Sequence, residues 1–282
     1  MSVAWKNHDV AVIEVPRLRA RSLPLATGIT VPYVTQGRRL APGDVPLVCV
    51  HGLSDSWRSF EPVLRLMPDQ PALALTQRGH RAATQPRFGY AAVDFAADLT
   101  AFLDALRIPR AVLVGHSLGS TVAQRFAIDH PERVAGLVLV GANATWQGHP
   151  LVKELWENVV DHLTDPVDPG FVRDFQSSAR IPAERLEMMI AESLPVPART
   201  WQQVGRAMLA ADMVDDLPRI TAPTLVVWGM EDPFCSEGEQ ERLCTLIPRA
   251  ELLVYPDAGH NLHWEHPERF AVDVRDFLAR IG

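Results

Sequence analysis

The sequence predicts a doubly wound α/β sheet, and three observations predict it. Short apolar runs rich in Val and Leu recur along the chain, each ending in Gly or a turn. They are continuous rather than alternating, as strands covered on both faces must be. Between them lie stretches whose apolar residues repeat near 3.6, the period of a helix with one buried face. Alternation of the two patterns argues for βα units around one sheet. The 282 residues are 47% hydrophobic and 22% charged, which supplies a large core and argues against disorder.

In chain order, residues 10–36 read as an antiparallel hairpin that enters the sheet. Strands are expected at 45–50, 72–75, 111–114, 134–140, 224–228 and 251–255. Helices are expected at 91–106, 118–130, 236–247 and 267–281. In 91–106 the apolar positions Phe95, Leu99, Phe102, Leu103 and Leu106 trace one face. No convincing strand interrupts residues 143–217, which hold Trp146, Trp156, Met188, Met189, Trp201 and Met208 among charges and helix-ending prolines. A structureless loop of that length is rare in a compact domain, so the segment reads as a helical cap. A plain pair of surface helices is the alternative. Residues 1–142 and 218–282 then form the core domain.

Charge and composition exclude some functions. A net charge of −7 lacks the basic footprint of a phosphate-backbone binder, so nucleic acid is not an expected partner. The densest basic stretch, Arg17, Arg19 and Arg21, is short enough for a solvated face. No run approaches the roughly 18–20 apolar residues of a membrane span. Residues 1–15 lack the basic-then-apolar pattern of a signal peptide, which leaves the cytoplasm as the expected compartment. Three cysteines, Cys49, Cys235 and Cys244, are too few and odd in number for a disulfide framework. Cys49 reads as a buried small hydrophobe.

Gly115-His116-Ser117-Leu118-Gly119 carries the strongest chemical signal. It closes a strand and opens a helix, the context in which G-x-S-x-G forms a nucleophile elbow. The tight turn holds the serine in a strained conformation, and the helix N-terminus below it favours negative charge. A serine needs a base and an orienting acid. His260, in the loop after the last strand, is the base candidate. Asp232, in the turn after strand 224–228, is the acid candidate. Glu231 and Asp257 are its rivals, and Gly141-Ala142-Asn143 after strand 134–140 offers no carboxylate. The order Ser117, Asp232, His260 is that of a hydrolase triad. A tetrahedral intermediate also needs two preorganised N–H donors. The amide of Leu118 supplies one, and His51-Gly52-Leu53 points to the amide of Leu53 as the other.

With these motifs the chain resembles the α/β-hydrolases that carry a helical cap. The likeness spans about residues 31–281. It rests on His51-Gly52, Gln77-Arg78-Gly79-His80, Gly115–Gly119, the Gly229 to Asp232 turn and Gly259-His260. Relatives commonly read Asp-x-Arg-Gly-x-Gly where this chain has Thr76-Gln77-Arg78-Gly79-His80-Arg81. The resemblance therefore implies altered packing beneath the site and an Arg78 without its usual acid. Relatives that open epoxides or displace halide use aspartate at the elbow, so Ser117 points to acyl transfer. The resemblance implies hydrolysis of small to medium carboxylic esters or lactones through an acyl-enzyme, with no metal and no organic cofactor. Trp57, Trp146 and Trp264 are candidates to line the substrate pocket.

Three other readings stay open. C–C bond hydrolases of aromatic-ring breakdown share the fold and triad but more often carry a glycine-rich oxyanion loop than one like Leu53-Ser54-Asp55-Ser56-Trp57. A ligand-binding protein can also keep a triad. His260, His263 and His266 are spaced for one helix face and a metal, although Gly259 and Pro267 argue against regular helix there. Monomer and homodimer are equally compatible with the sequence.

Overall fold

The computed structural model describes residues 18–41, 43–177 and 180–282. Eight strands form one sheet in the order β1-β2-β4-β3-β5-β6-β7-β8. Strands β1 (Arg21–Pro24) and β2 (Thr30–Gln36) are the entry hairpin, antiparallel to each other, and β2 is antiparallel to β4 (Ala72–Leu75). Residues 10–17 of the expected hairpin, Arg17 included, lie outside the described residues. The remaining strands, β3 (Leu47–Val50), β5 (Ala111–His116), β6 (Val134–Val140), β7 (Thr224–Gly229) and β8 (Ala250–Tyr255), all pair in parallel. Every residue of β3, β4, β5 and β7 is buried, which is why these runs read as continuous apolar sequence.

Two hydrophobic layers cover the sheet. On one face, Phe95, Leu99 and Phe102 of α2 (Ala92–Ala105) and Val122 and Phe126 of α3 (Leu118–Asp129) pack with Val48, Val50, Leu113 and Leu139. Leu243 of α8 (Glu237–Leu246) joins them. On the other, Val63 and Leu64 of α1 (Glu61–Arg65) and Phe270, Val274 and Phe277 of α10 (Pro267–Ile281) pack with Cys49, Val114, Val138 and Val227. The helical pattern missed α1 because five residues are too few to show a period; Ser56 starts this segment by accepting a hydrogen bond from the Arg58 amide.

Between β6 and β7 the described residues form four α-helices, α4 (Pro150–Asn158), α5 (Pro169–Gln176), α6 (Ala183–Ser193) and α7 (Ala198–Ala210). Trp156, Val172, Ile190, Trp201, Val204 and Met208 from these helices bury into the first layer. Among the described residues no helix is long and apolar enough to cross a membrane.

The Thr76 and Arg81 departures have structural outcomes. Thr76 is buried, and its Oγ1 accepts from the Trp57 amide at 3.2 Å. Arg78 does not lack an acid, contrary to the expectation from the motif. Its Nε and Nη2 donate to the two oxygens of Asp98 on α2 at 2.6 and 2.7 Å, and its Nη1 to the Gly89 carbonyl at 2.7 Å. The partner comes from 20 residues further along the chain. Arg81 reaches the helical insertion, donating to the Ala191 carbonyl at 2.9 Å and pairing with Glu192 at 3.2 Å.

Candidate active site

Parallel pairing of β3, β5, β6, β7 and β8 brings the loops after these strands to one edge. Ser117 stands between β5 and α3 with φ 52° and ψ −116°, a region where a residue with a side chain is strained. Two glycines make that turn fit. A Cβ on Gly115 would lie 2.4 Å from the Gly119 carbonyl oxygen, and one on Gly119 would lie 2.0 Å from that of Val50. The helix is thus pressed against two strands, and the serine is lifted into a cavity.

His260 faces the same cavity. Its Nδ1 lies 2.7 Å from Oδ2 of Asp232, whose Oδ1 accepts from the Phe234 amide at 2.8 Å. The carboxylate is therefore held from both sides. Burial would lower the His260 pKa, but the charge and hydrogen bond of Asp232, then the charge of Asp55, outweigh it and raise it. Glu231 turns away and binds Arg180 at 2.7 Å, and Asp257 is exposed beside His266. Neither rival acid reaches the His260 ring nitrogens.

His51 shapes the loop after β3. Its Nε2 accepts from the Gln77 amide at 2.9 Å, so its Nδ1 carries the proton donated to the Gly52 carbonyl at 2.7 Å. Burial and the nearby His80 hold it neutral. Leu53 follows and lines the cavity together with Ser117, and a Cβ on the preceding Gly52 would lie 3.3 Å from the Ser117 Cβ.

His116 donates from Nε2 to the His260 carbonyl at 3.0 Å, which leaves its buried Nδ1 without a partner, 3.9 Å from Asp55 Oδ2. Burial, with the nearby His263 and His260, holds His116 neutral. Asp55 is 2% exposed and also lines the cavity. Burial pushes its carboxyl up to about 7, against the hydrogen bonds of Gln176 and Ser59. Composition gave no hint of this second acid, which sits in a polar stretch that reads as loop.

The cavity measures about 310 Å3. Trp146, Val152, Trp156, Phe175 and Met208, from the insertion and the chain leading to it, form an apolar wall. Asp55, Arg180, Glu231 and Glu265 are the ionisable groups beside His116 and His260. Of the three candidate tryptophans, Trp146 lines the cavity. Trp57 and Trp264 are not on the cavity. Trp57 packs with the α1 and α10 layer, with the Arg58 guanidinium 4.6 Å above its ring. Trp264 lies in α9 (Leu262–Glu265), where its Nε1 donates to Ser59 Oγ at 3.0 Å and its ring meets Ile181 and Met189.

The histidine trio disperses. His263 Nε2 meets Ser59 Oγ at 3.0 Å, and His266 Nε2 the Asp257 carbonyl at 3.2 Å. Asp232, Cys235 and His260 do bring potential ligand atoms within 4.8 Å, but the first and last are bonded to each other. All three cysteines are free.

Residues 45–267 match the family model for the alpha/beta hydrolase fold. The chain belongs to the α/β-hydrolase family. Among curated relatives of this hydrolase, a 2-hydroxy-6-oxo-2,4-heptadienoate hydrolase of Pseudomonas putida is 30% identical over 83% of this chain and 89% of its own. A 2-hydroxy-6-oxononadienedioate/2-hydroxy-6-oxononatrienedioate hydrolase of Burkholderia vietnamiensis is 33% identical over 64% of this chain and 67% of its own. Among solved structures, Est816, described as an N-acyl homoserine lactone degrading enzyme, is 30% identical with a TM-score of 0.75, over 89% and 97% of the two chains. An esterase from Exiguobacterium antarcticum shares the fold at a TM-score of 0.81 and 20% identity, over 93% and 100%.

Proposed function

We propose that this α/β-hydrolase cleaves neutral carboxylic esters, lactones included, through Ser117, His260 and Asp232, with residues 143–217 acting as a cap over the site. His260 takes the Ser117 proton as Oγ attacks the carbonyl. Asp232 fixes the imidazole tautomer and stabilises its cation. The amides of Leu53 and Leu118 receive the oxyanion. His260 then protonates the leaving alcohol, and later activates the water that frees the acid. The free cysteines suit a reducing compartment such as the cytoplasm.

The charge of the cavity wall carries the choice of substrate. Among the described residues, three carboxyls, Asp55, Glu231 and Glu265, and one guanidinium, Arg180, line it; Arg180 already binds Glu231 and the Asp55 carboxyl is pushed up to about 7, so near neutral pH the negative charge rests mainly on Glu265. A carboxylate substrate would enter with like charge and no cation held for it. Neutral acyl groups instead gain the apolar wall of Trp146, Trp156 and Phe175.

A second reading, C–C bond hydrolysis, has the curated relatives in its favour, since the compounds in their names are dienoates and dienedioates. The test sets p-nitrophenyl esters from acetate to decanoate beside a dienoate ring-cleavage product, with wild type and Ser117→Ala. Multiple turnover of esters, lost in the variant, and no cleavage of the dienoate is the expected result. A kcat/KM for the dienoate above that of every ester overturns the ester reading.

A further inference from the structure

A buried polar contact joins the cap to the loop that holds Leu53. Gln176, at the end of α5, directs its Nε2 at three oxygens: Ser54 Oγ at 3.1 Å, Asp55 Oδ1 at 3.0 Å and Ser193 Oγ at 2.7 Å. Ser193, at the end of α6, donates to the Met189 carbonyl at 3.0 Å and lies 3.3 Å from Ser54 Oγ. Gln176, Ser54, Asp55 and Ser193 are all buried. Two of these residues belong to the cap and two to the loop.

The loop needs holding. Ser54 has φ 70°, in the left-handed region, which strains a residue with a side chain. Within the loop the Asp55 amide reaches the Gly52 carbonyl only at 3.3 Å. Asp55 is further fixed by Ser59, which donates from Oγ to Asp55 Oδ2 at 3.1 Å. Ser59 Oγ accepts from Trp264 Nε1 and meets His263 Nε2, so its single proton is free for Asp55 only if His263 is the donor there. The unpartnered His263 Nδ1 agrees with that tautomer. Donors on Asp55 therefore come from the core side through Ser59 and from the cap side through Gln176.

We propose that Gln176 is a positioning residue for the hydrolytic step: its amide, reaching from the cap, holds Ser54 and Asp55 so that the neighbouring Leu53 N–H is aimed at the oxyanion. The cap then contributes to turnover as well as to substrate choice. This rests on the reading of Leu53 as an oxyanion donor. Oxyanion donors act only when aligned, and misplacement by about 1 Å from a remote change costs about a hundredfold.

The test compares wild type, Gln176→Met, Gln202→Met and Ser117→Ala by p-nitrophenyl butyrate kinetics and by labelling with a fluorophosphonate. In labelling, Ser117 Oγ forms a bond to phosphorus, the P–F bond breaks, fluoride leaves and His260 takes the serine proton. Methionine keeps the bulk of glutamine and removes the donor. Gln202 is also a cap glutamine, but its Nε2 serves the Asp161 and Leu163 carbonyls within the cap.

In Gln176→Met we expect kcat and the labelling rate to fall about tenfold to a hundredfold, with KM within about twofold. Gln202→Met should match wild type in all three. An equal fall in Gln202→Met, or an unchanged kcat in Gln176→Met, overturns the inference while Ser117 chemistry stands. A wild type that neither labels nor loses activity in Ser117→Ala overturns the inference together with the functional reading. If Gln176→Met does not fold, Gln176→Asn decides, since it keeps an amide at the site but draws it back by one methylene from Ser54 and Asp55. A several-fold fall in its kcat at constant KM supports the tether, and no change overturns it.

Discussion

Replacing Gly205 with alanine tests the packing of α7 against Trp156. A Cβ at Gly205 on α7 would lie 1.2 Å from Trp156 Nε1 and 1.7 Å from its Cε2. Contact between such atoms sits near about 3.5 Å, so the indole must retreat by about 2 Å. That breaks its hydrogen bond to the Trp201 carbonyl, now 3.1 Å. Overpacking costs about 1–3 kcal/mol, and the lost bond about 1 kcal/mol more. Alanine returns about 1 kcal/mol of helix propensity. The net loss is about 2 kcal/mol. With an unfolding entropy of about 2.1 cal/mol/K per residue, a chain of 282 residues melts about 3 °C lower for that loss.

The displaced indole also narrows the cavity it lines. Losing room for two methylenes costs about 1.6 kcal/mol of acyl binding, or about fifteenfold in kcat/KM for the longest ester that wild type accepts. Differential scanning fluorimetry and the p-nitrophenyl ester series read the two effects. In a Trp156→Ala background Gly205→Ala should cost no further stability, because the indole it clashes with is gone. A Gly205→Ala variant that melts above wild type, with an unchanged chain-length profile, refutes the packing argument, since that is what alanine does in an open helix.

Further expectations concern the charges. Ser117→Ala should abolish ester turnover, and Asp232→Asn should lower kcat about ten-thousandfold by presenting His260 in the wrong tautomer, both read by initial rates. Asp55→Asn removes a charge that helps raise the His260 pKa, so the acid limb of its pH–kcat/KM profile should move to lower pH. The Asp55 carboxyl has a folded pKa near 7, above its unfolded value near about 4, so its burial costs stability as pH rises through that window. Melting curves should show Asp55→Asn more stable than wild type at pH 8 and no such gain at pH 4. Asp98→Asn strands the buried Arg78 guanidinium and should cost about 3–5 kcal/mol in urea unfolding, whereas Asp44→Asn, at an exposed and solvent-screened pair, should leave the urea midpoint close to that of wild type.

What the sequence made legible were features that chemistry forces into short motifs. The elbow needs Gly115 and Gly119 because backbone lies where their side chains would be, and those glycines are visible as letters. Continuous Val and Leu runs mark strands because both faces are covered. The meeting of Asp232 with His260 is legible because the ends of parallel strands share one edge. Features made by pairing across the chain were not legible. Arg78 finds Asp98 on another element, and nothing local announces it. Trp57 and Trp264 adjoin site loops in sequence, yet a helical turn directs each into core. Asp55 and Gln176 meet across 121 residues, so neither letter alone points to the other.

The insertion of residues between β6 and β7 also sets an order of events at the ribosome. Ser117 and the Leu53 loop are synthesised first, and His260 follows Ser117 by 143 residues (260 − 117). At about 5–20 residues per second that is a lag of roughly seven to thirty seconds. Strands β7 and β8 add to β6 only after the whole insertion has emerged. On the proposed mechanism, Ser117 is during that interval present without the base that would activate it. A nascent or truncated polypeptide should therefore hydrolyse no ester until the last strands dock.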